Sequence, residues 1–129
     1  MPQRSRETSL SKWLMKGARS GAVLERVENS VNTGTPDIFG QWHNAFVCET
    51  KVYPHTLTGK QASFLRNWWR AGGRAWMLYE RGGVKYLIHA KHCLPFVNAH
   101  PPLDDVVKLS MCRGLRATEF IERMATGGK

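Results

Sequence analysis

Apolar residues recur with helical spacing in two segments of the chain. In the first, residues 5–16, Leu10 and Leu14 lie one turn apart, which predicts an amphipathic helix. The second segment begins at Thr58 and Gln61, which have the spacing of a capping box, and it ends before a pair of glycines. We therefore expect one helix near the start of the chain and another at its centre.

Short apolar runs bounded by Gly, Pro and Asn predict strands in the rest of the chain. The runs predicted as strands cover residues 22–28, 37–40, 45–52, 74–79 and 84–90. The second and third runs form a hairpin with a polar tip, and the fourth and fifth form another across a Gly-Gly turn. With the central helix crossing between the hairpins, the predicted fold class is α/β, a mixed central sheet flanked by helices.

The chain carries a net charge of +9, which is large for its size. Such an excess of Lys and Arg favours a polyanionic partner, and nucleic acid fits better than a membrane surface because no basic amphipathic helix stands out. No apolar run is long enough to span a membrane, and no apolar segment follows the basic N-terminus, so a signal peptide is not expected. Three cysteines without metal-type spacing indicate reduced thiols. We expect an intracellular protein that is not secreted.

The length of 129 residues suits a single domain with its own core. That core is expected over about residues 5–90. Residues 91–129 form a C-terminal extension, in which short helices are predicted over residues 106–115 and 118–124. The extension can pack on the sheet, build a dimer contact or bind DNA, and the sequence does not decide among these roles.

Three charged residues in the first predicted hairpin carry candidate chemistry. Side chains alternate across a strand, so Glu49 and Lys51 share one face, and Asp37 on the neighbouring run can reach the same point. A lysine inside an apolar run is costly without a charge partner, which Glu49 supplies. Two carboxylates with a backbone carbonyl form an all-oxygen site, which suits Mg²⁺ or Mn²⁺. These ions are the expected cofactors.

The spacing of these residues resembles the PD-(D/E)xK nuclease superfamily. Pro36-Asp37 and Glu49-Thr50-Lys51 match its signature. Gly34 adds the G-x-P-D form of the VRR-NUC and Holliday junction resolvase-like branch, and the helix led by Gln61 follows at the distance that this branch uses. The resemblance covers roughly residues 7–90, and it implies a restriction-endonuclease-like core.

The resemblance also implies a role for each residue of the site. The implied metal ligands are Glu7 on the first helix, Asp37, Glu49 and the backbone carbonyl of Thr50. Lys51 would position or activate the attacking water, and Gln61 would contact the site or the DNA backbone. Glu25 and Glu28 are alternatives to Glu7 as the third carboxylate. Glu7 is preferred because it falls on the apolar stripe of its helix.

A further implication is a metal-dependent DNA endonuclease that leaves 5′-phosphate and 3′-hydroxyl ends. Small members of this branch resemble Holliday junction resolvases, so branched DNA is the expected substrate and a homodimer the expected form. The residues expected to contact DNA are Lys60, Arg66 and Arg70 of the second helix. The residues expected at a dimer contact are Trp13 of the first helix and Phe120, Ile121 and Met124 of the extension.

Two other functions stay open at this point. One is a nicking, flap or restriction-like nuclease that acts on other DNA. The other is a basic nucleic-acid-binding protein on the same fold that has lost activity, although the intact Asp37, Glu49 and Lys51 argue against it. A phage-encoded protein that acts in the host cell, in DNA recombination or repair, also fits these expectations.

Overall fold

A computed structural model describes residues 2–27 and 34–127 of the chain, with side chains from residue 8 onward. The helices in this part are α1 (Pro2–Lys16), α2 (Gly59–Arg70), α3 (Leu103–Leu109) and α4 (Ala117–Thr126). The strands are β1 (Val23–Arg26), β2 (Ile38–Trp42), β3 (Asn44–Val52), β4 (Arg74–Arg81), β5 (Val84–His89) and β6 (Ser110–Arg113). No helix in the described residues is long and apolar enough to cross a membrane.

The described strands form one mixed sheet in the order β1-β2-β3-β4-β5-β6. Strands β3 and β4 pair in parallel, whereas the other neighbouring pairs are antiparallel. The parallel pair needs a crossover connection, which α2 supplies between β3 and β4. The predicted α/β fold with a mixed central sheet is confirmed.

The two faces of β3 are buried against different helices. Phe46 and Cys48 belong to the core on one face, where Leu14 of α1 and Phe120 of α4 pack against the sheet. Val47 faces the other way and packs with Leu65 of α2. The alternation predicted from the sequence is therefore present, and it sends successive side chains of this strand to opposite layers.

Helix α2 begins with the capping box that the sequence predicts. The Thr58 hydroxyl accepts from the backbone N–H of Gln61 at 3.1 Å, and the Thr58 N–H donates to the Gln61 amide oxygen at 3.0 Å. A cap of this kind stabilises a helix by about 1 kcal/mol. It also fixes the side chain of Gln61 at the start of the helix.

The end of the chain differs from the prediction in one element. Residues 106–115 were predicted to be a helix, but α3 ends at Leu109 and residues Ser110–Arg113 form β6. This strand pairs with the open edge of β5, and hydrogen bonds to that edge outweigh the local helical spacing. The sheet therefore gains a strand that the sequence did not indicate.

Helix α4 completes the core of the domain. Phe120, Ile121 and Met124 are at most 2% exposed, and the ring of Trp13 meets Phe120 edge-on at 6.1 Å. The indole N–H of Trp76 on β4 donates to the Met124 carbonyl at 3.0 Å. The prediction of a dimer contact through Phe120, Ile121 and Met124 is wrong, because these side chains are buried in the core of the same chain.

Candidate active site

Asp37 lies directly before β2, at the end of the ladder between β2 and β3. That antiparallel ladder ends at the pair Ile38 and Cys48, so Asp37 and Glu49 each lie one residue beyond its last pair. Residues directly opposite one another in an antiparallel pair have Cα atoms about 4.5–5.5 Å apart. The backbone thus brings Asp37 and Glu49 to neighbouring positions, and their carboxylates then contact different side chains.

The Asp37 carboxylate is held by hydrogen bonds from Thr50 and Ser11. Its Oδ1 accepts from the Thr50 backbone N–H at 3.0 Å. Its Oδ2 accepts from the Thr50 hydroxyl and, at 3.1 Å, from the hydroxyl of Ser11 on α1. Because the N–H and C=O of a strand residue point to the same side, the Thr50 carbonyl lies on the edge of β3 that faces Asp37. Two of the predicted ligands therefore lie together.

Burial governs the ionisation of Asp37. It raises the pKa of the Asp37 carboxyl above its ordinary value, while the hydrogen bonds from Thr50 and Ser11 oppose that shift. Removing a carboxylate from water disfavours its charged form. A nearby cation would stabilise the ionised state, so the charge at this position is costly in the absence of a positive partner.

Glu49 points to the face of β3 that α2 covers, away from Ser11 and the Thr50 hydroxyl. Gln61 and Lys51 are its polar neighbours there. Its Oε2 accepts from the side-chain amide of Gln61 at 3.1 Å and lies 3.7 Å from the ammonium nitrogen of Lys51. Glu49 is 5% exposed and Lys51 is 7% exposed, so this ion pair is largely shielded from solvent. Gln61 thereby caps α2 with its amide oxygen and contacts Glu49 with its amide nitrogen.

Cys48 lies between Asp37 and Glu49 in sequence, but it is not a candidate metal ligand or nucleophile. Burial raises the pKa of its thiol well above the ordinary value, and the charges of Asp37 and Glu49 raise it further. The thiol therefore stays protonated at neutral pH, and a protonated thiol is neither a nucleophile nor a good metal ligand.

The candidates for a third carboxylate differ in position. Glu7 lies on α1 one helical turn before Ser11, which contacts Asp37, and its side chain is outside the described part of the structure. Glu25 is exposed on β1. Glu28 is outside the described residues. The assignment of the third carboxylate to Glu7 stays a prediction.

The predicted DNA-binding cations lie at different places on α2. Lys60 is exposed in the first turn, where a Cβ atom at Gly34 would lie 3.1 Å from the Lys60 carbonyl oxygen. Arg66 is half-buried near Cys93, whose pKa is raised by burial to about 11 although the Arg66 charge opposes that rise. Arg70 is exposed in the last turn. Of the three, Lys60 is packed against the loop that leads to Asp37.

The hydroxyl groups that hold Asp37 were not predicted from the sequence. Ser11 is 1% exposed and Thr50 is fully buried, and their hydroxyl oxygens lie 3.0 Å apart. One signal was available, because Ser11 lies four residues after Glu7 and so shares its side of the helix. Small polar residues within buried apolar segments are usually hydrogen-bonded to another buried polar group.

The oxygen donors at the site suit a hard divalent cation. They are the carboxylates of Asp37 and Glu49 and the carbonyl of Thr50, and oxygen donors of this kind favour Mg²⁺ or Mn²⁺. Among the side chains that the structure describes, no group of three His, Cys, Asp or Glu residues could hold a metal ion. A further carboxylate would have to come from a side chain outside that part, such as Glu7.

Comparison with known proteins supports the fold. No family model matches the chain, and no curated protein sequence matches it significantly. Among solved structures, the chain is similar to Hjc, a Holliday junction resolvase from the archaeal hyperthermophile Archaeoglobus fulgidus, with a TM-score of 0.61 and 19% sequence identity. The match covers 93% of this chain and 98% of Hjc, so it extends past residue 90 into the C-terminal extension. The chain therefore has the restriction-endonuclease-like α/β fold of this resolvase.

Proposed function

We propose that this protein is a divalent-metal-dependent endonuclease that hydrolyses phosphodiester bonds in branched DNA. The observation that carries the proposal is the end of the β2–β3 ladder, where Asp37 and Glu49 lie one residue beyond the last pair, with Lys51 and Gln61 on the buried Glu49 carboxylate. The G-x-P-D form of the motif supports the VRR-NUC and resolvase-like branch. The fold shared with Hjc, whose described activity is Holliday junction resolution, supports the same class of substrate.

Asp37, Glu49 and the Thr50 carbonyl would hold Mg²⁺ or Mn²⁺, with Glu7 as a further ligand. When bound, the ion supplies charge stabilisation to the phosphate and lowers the pKa of a coordinated water. Ser11 and Thr50 keep Asp37 oriented, since together they donate hydrogen bonds to both oxygens of its carboxylate. These residues prepare the site before DNA arrives.

Lys51 and Gln61 act on the other side of the site. The Lys51 ammonium lies 3.7 Å from Glu49 and is positioned to donate to an attacking water or to a phosphate oxygen. Burial strengthens that donation, because charge interactions are weakly screened away from water. Gln61 restrains the Glu49 carboxylate through its 3.1 Å hydrogen bond. Attack by water on phosphorus, with cleavage of the bond from phosphorus to the 3′ oxygen, would leave 5′-phosphate and 3′-hydroxyl ends.

Binding of the DNA backbone is assigned to Lys60, Arg66 and Arg70, supported by the net charge of +9. We propose a homodimer as the active form, because resolution of a junction requires two symmetric cuts and each chain has one site. The protein is proposed to act within the cell, in recombination or repair. A nicking, flap or restriction-like enzyme and an inactive DNA-binding protein are the alternatives.

A panel of DNA substrates tests the proposal. We expect cleavage of an end-labelled four-way junction in Mg²⁺ or Mn²⁺, little cleavage in Ca²⁺ because it polarises water less, and none in EDTA. With both opposing strands labelled, a dimer gives paired symmetric cuts. Cleavage of flap or linear duplex DNA in preference to the junction would assign another nuclease activity. Binding without cleavage of any substrate would assign the inactive DNA-binding function.

Substitutions of the acidic residues test the third ligand. We expect Glu7→Gln to lose most of its cleavage activity, because Glu7 lies one turn from Ser11 on the side of α1 that contacts the site. Glu25→Gln removes the same charge from an exposed position and should retain nearly full activity. The measurement is the rate of junction cleavage in Mg²⁺ by Glu7→Gln, by Glu25→Gln and by the wild type. Loss of activity in Glu28→Gln with an active Glu7→Gln would move the third carboxylate to the segment after β1.

A further inference from the structure

A cleft of about 460 Å³ opens beside the candidate active site, between α1 and the β4–β5 hairpin. Its walls include Trp13 of α1, Tyr53 just after β3, and Arg81 and Lys85 of the hairpin. Tyr53 follows Lys51 by two residues, which is about 6.6 Å along an extended chain. Since one strand of duplex DNA advances about 3.4 Å per nucleotide, the cleft begins within a few nucleotides of the site.

Each of these two aromatic rings has a cation over its face. The ammonium nitrogen of Lys85 lies 4.4 Å from the centre of the Trp13 ring. The guanidinium carbon of Arg81 lies 4.3 Å from the centre of the Tyr53 ring. Both distances fall inside the range of cation–π attraction. The cleft therefore combines flat ring surfaces with positive charge.

The rim of the cleft is accessible. Tyr53 is 38% exposed, and Cβ atoms built on the turn residues Gly82 and Gly83 would meet nothing within 4 Å. Glu80 also lines the cleft and lies 3.9 Å from Lys85, so Glu80, Arg81 and Lys85 together leave one net positive charge in the cleft. The volume lies within the range of about 300–1,000 Å³ that holds small ligands.

We propose that this cleft binds an unpaired nucleotide of the DNA substrate, with the base against Tyr53 and the phosphate near Arg81 and Lys85. Every base offers a flat face, and aromatic residues interleaved with cations are the surface that single-stranded DNA binds. Bases in a duplex are already stacked and paired, so they cannot enter. The inference rests on the proposed function and deepens it, because the cleft would favour DNA with unpaired nucleotides next to the cut.

Fluorescence anisotropy of labelled DNA, titrated with protein in EDTA, measures the preference for single-stranded over duplex DNA. We expect Tyr53→Ala to weaken binding of an oligothymidine strand about tenfold, equivalent to about 1.4 kcal/mol of stacking, and to leave binding of an equally long duplex nearly unchanged. Tyr53→Phe keeps the ring and should keep the affinity. Lys85→Gln should weaken single-strand binding more than Lys108→Gln, which removes the same charge from an exposed position on α3.

Loss of single-strand and duplex affinity to the same extent in Tyr53→Ala would overturn the proposal, as would no loss of either. A lower unfolding temperature of Tyr53→Ala with an unchanged DNA preference would mean that the Tyr53–Arg81 contact only attaches the hairpin to the segment after β3. The result of this binding test can be told apart from the result of the cleavage test of the proposed function. An inactive wild type with the Tyr53 effect would refute the nuclease alone, and an active wild type without that effect would refute the cleft alone.

Discussion

Replacing Glu49 by Gln or Asp37 by Asn is expected to lower DNA cleavage at least about 10³-fold, the largest effect of any substitution in the chain. Each change removes one of the two carboxylates proposed to hold the metal, whose residues lie just beyond the last β2–β3 pair. Charge stabilisation by a bound divalent ion contributes several kcal/mol, and each 1.36 kcal/mol changes a rate tenfold. Single-turnover cleavage of a four-way junction in Mg²⁺ measures the loss.

The same variants should remain folded and bind DNA. Asp37→Asn is expected to unfold in EDTA at a temperature equal to or above that of the wild type. Burial raises the pKa of Asp37, so its contribution to stability is most favourable at low pH and declines as pH rises through the folded-state pKa. Asparagine avoids that cost, and its amide can still hydrogen-bond Thr50 and Ser11, whose hydroxyls can rotate. Calorimetry near neutral pH compares the unfolding temperatures of the variant and the wild type.

Cleavage at the wild-type rate by Asp37→Asn or Glu49→Gln would refute the proposed active site.

Replacing Lys51 by Met is the second large effect, with an expected fall in cleavage of about 100-fold. Removing one well-placed donor to developing charge typically costs a factor of this size. The substitution keeps the apolar stem of the side chain but removes the ammonium that lies 3.7 Å from Glu49. The readout is the rate of junction cleavage at saturating Mg²⁺, so that a loss of metal affinity does not mask a loss in the chemical step.

Lys91→Met provides the matched control, because it removes the same charge from an exposed position outside the site. Lys51→Arg distinguishes charge from geometry. The planar guanidinium does not reproduce a compact ammonium, so we expect arginine to restore little of the activity. Equal rates for Lys51→Met and Lys91→Met would show that Lys51 contributes only its charge to DNA binding.

Local patterns were enough to predict the elements around the site. The capping pair Thr58 and Gln61, the alternation along β3 and the Gly-Gly turn of the second hairpin each depend on neighbouring residues. The turn residues Gly82 and Gly83 have φ angles of 60° and 76°, which glycine adopts without strain. Such local patterns can be recognised in the sequence because few residue types satisfy the geometry of a cap, a strand or a tight turn.

Long-range contacts were not predictable in the same way. Ser11 meets Asp37 across 26 residues, and nothing in the local sequence identifies that partner. Strand β6 forms because β5 has an open edge, and its own four residues carry no strong strand signal. Burial of Phe120 and Met124 likewise depends on the face of the sheet that α1 leaves uncovered, so an apolar helix stripe alone could not separate core from interface.

The most direct test compares wild type and Asp37→Asn, prepared identically, on a labelled four-way junction with Mg²⁺ and with EDTA. Identical preparation matters because a contaminating nuclease would be present in both samples. We predict cleavage by the wild type in Mg²⁺ only, with 5′-phosphate ends, and none by the variant, although both bind the junction in EDTA. Equal cleavage by both proteins, or cleavage by the wild type in EDTA, would contradict a metal-dependent nuclease site at Asp37.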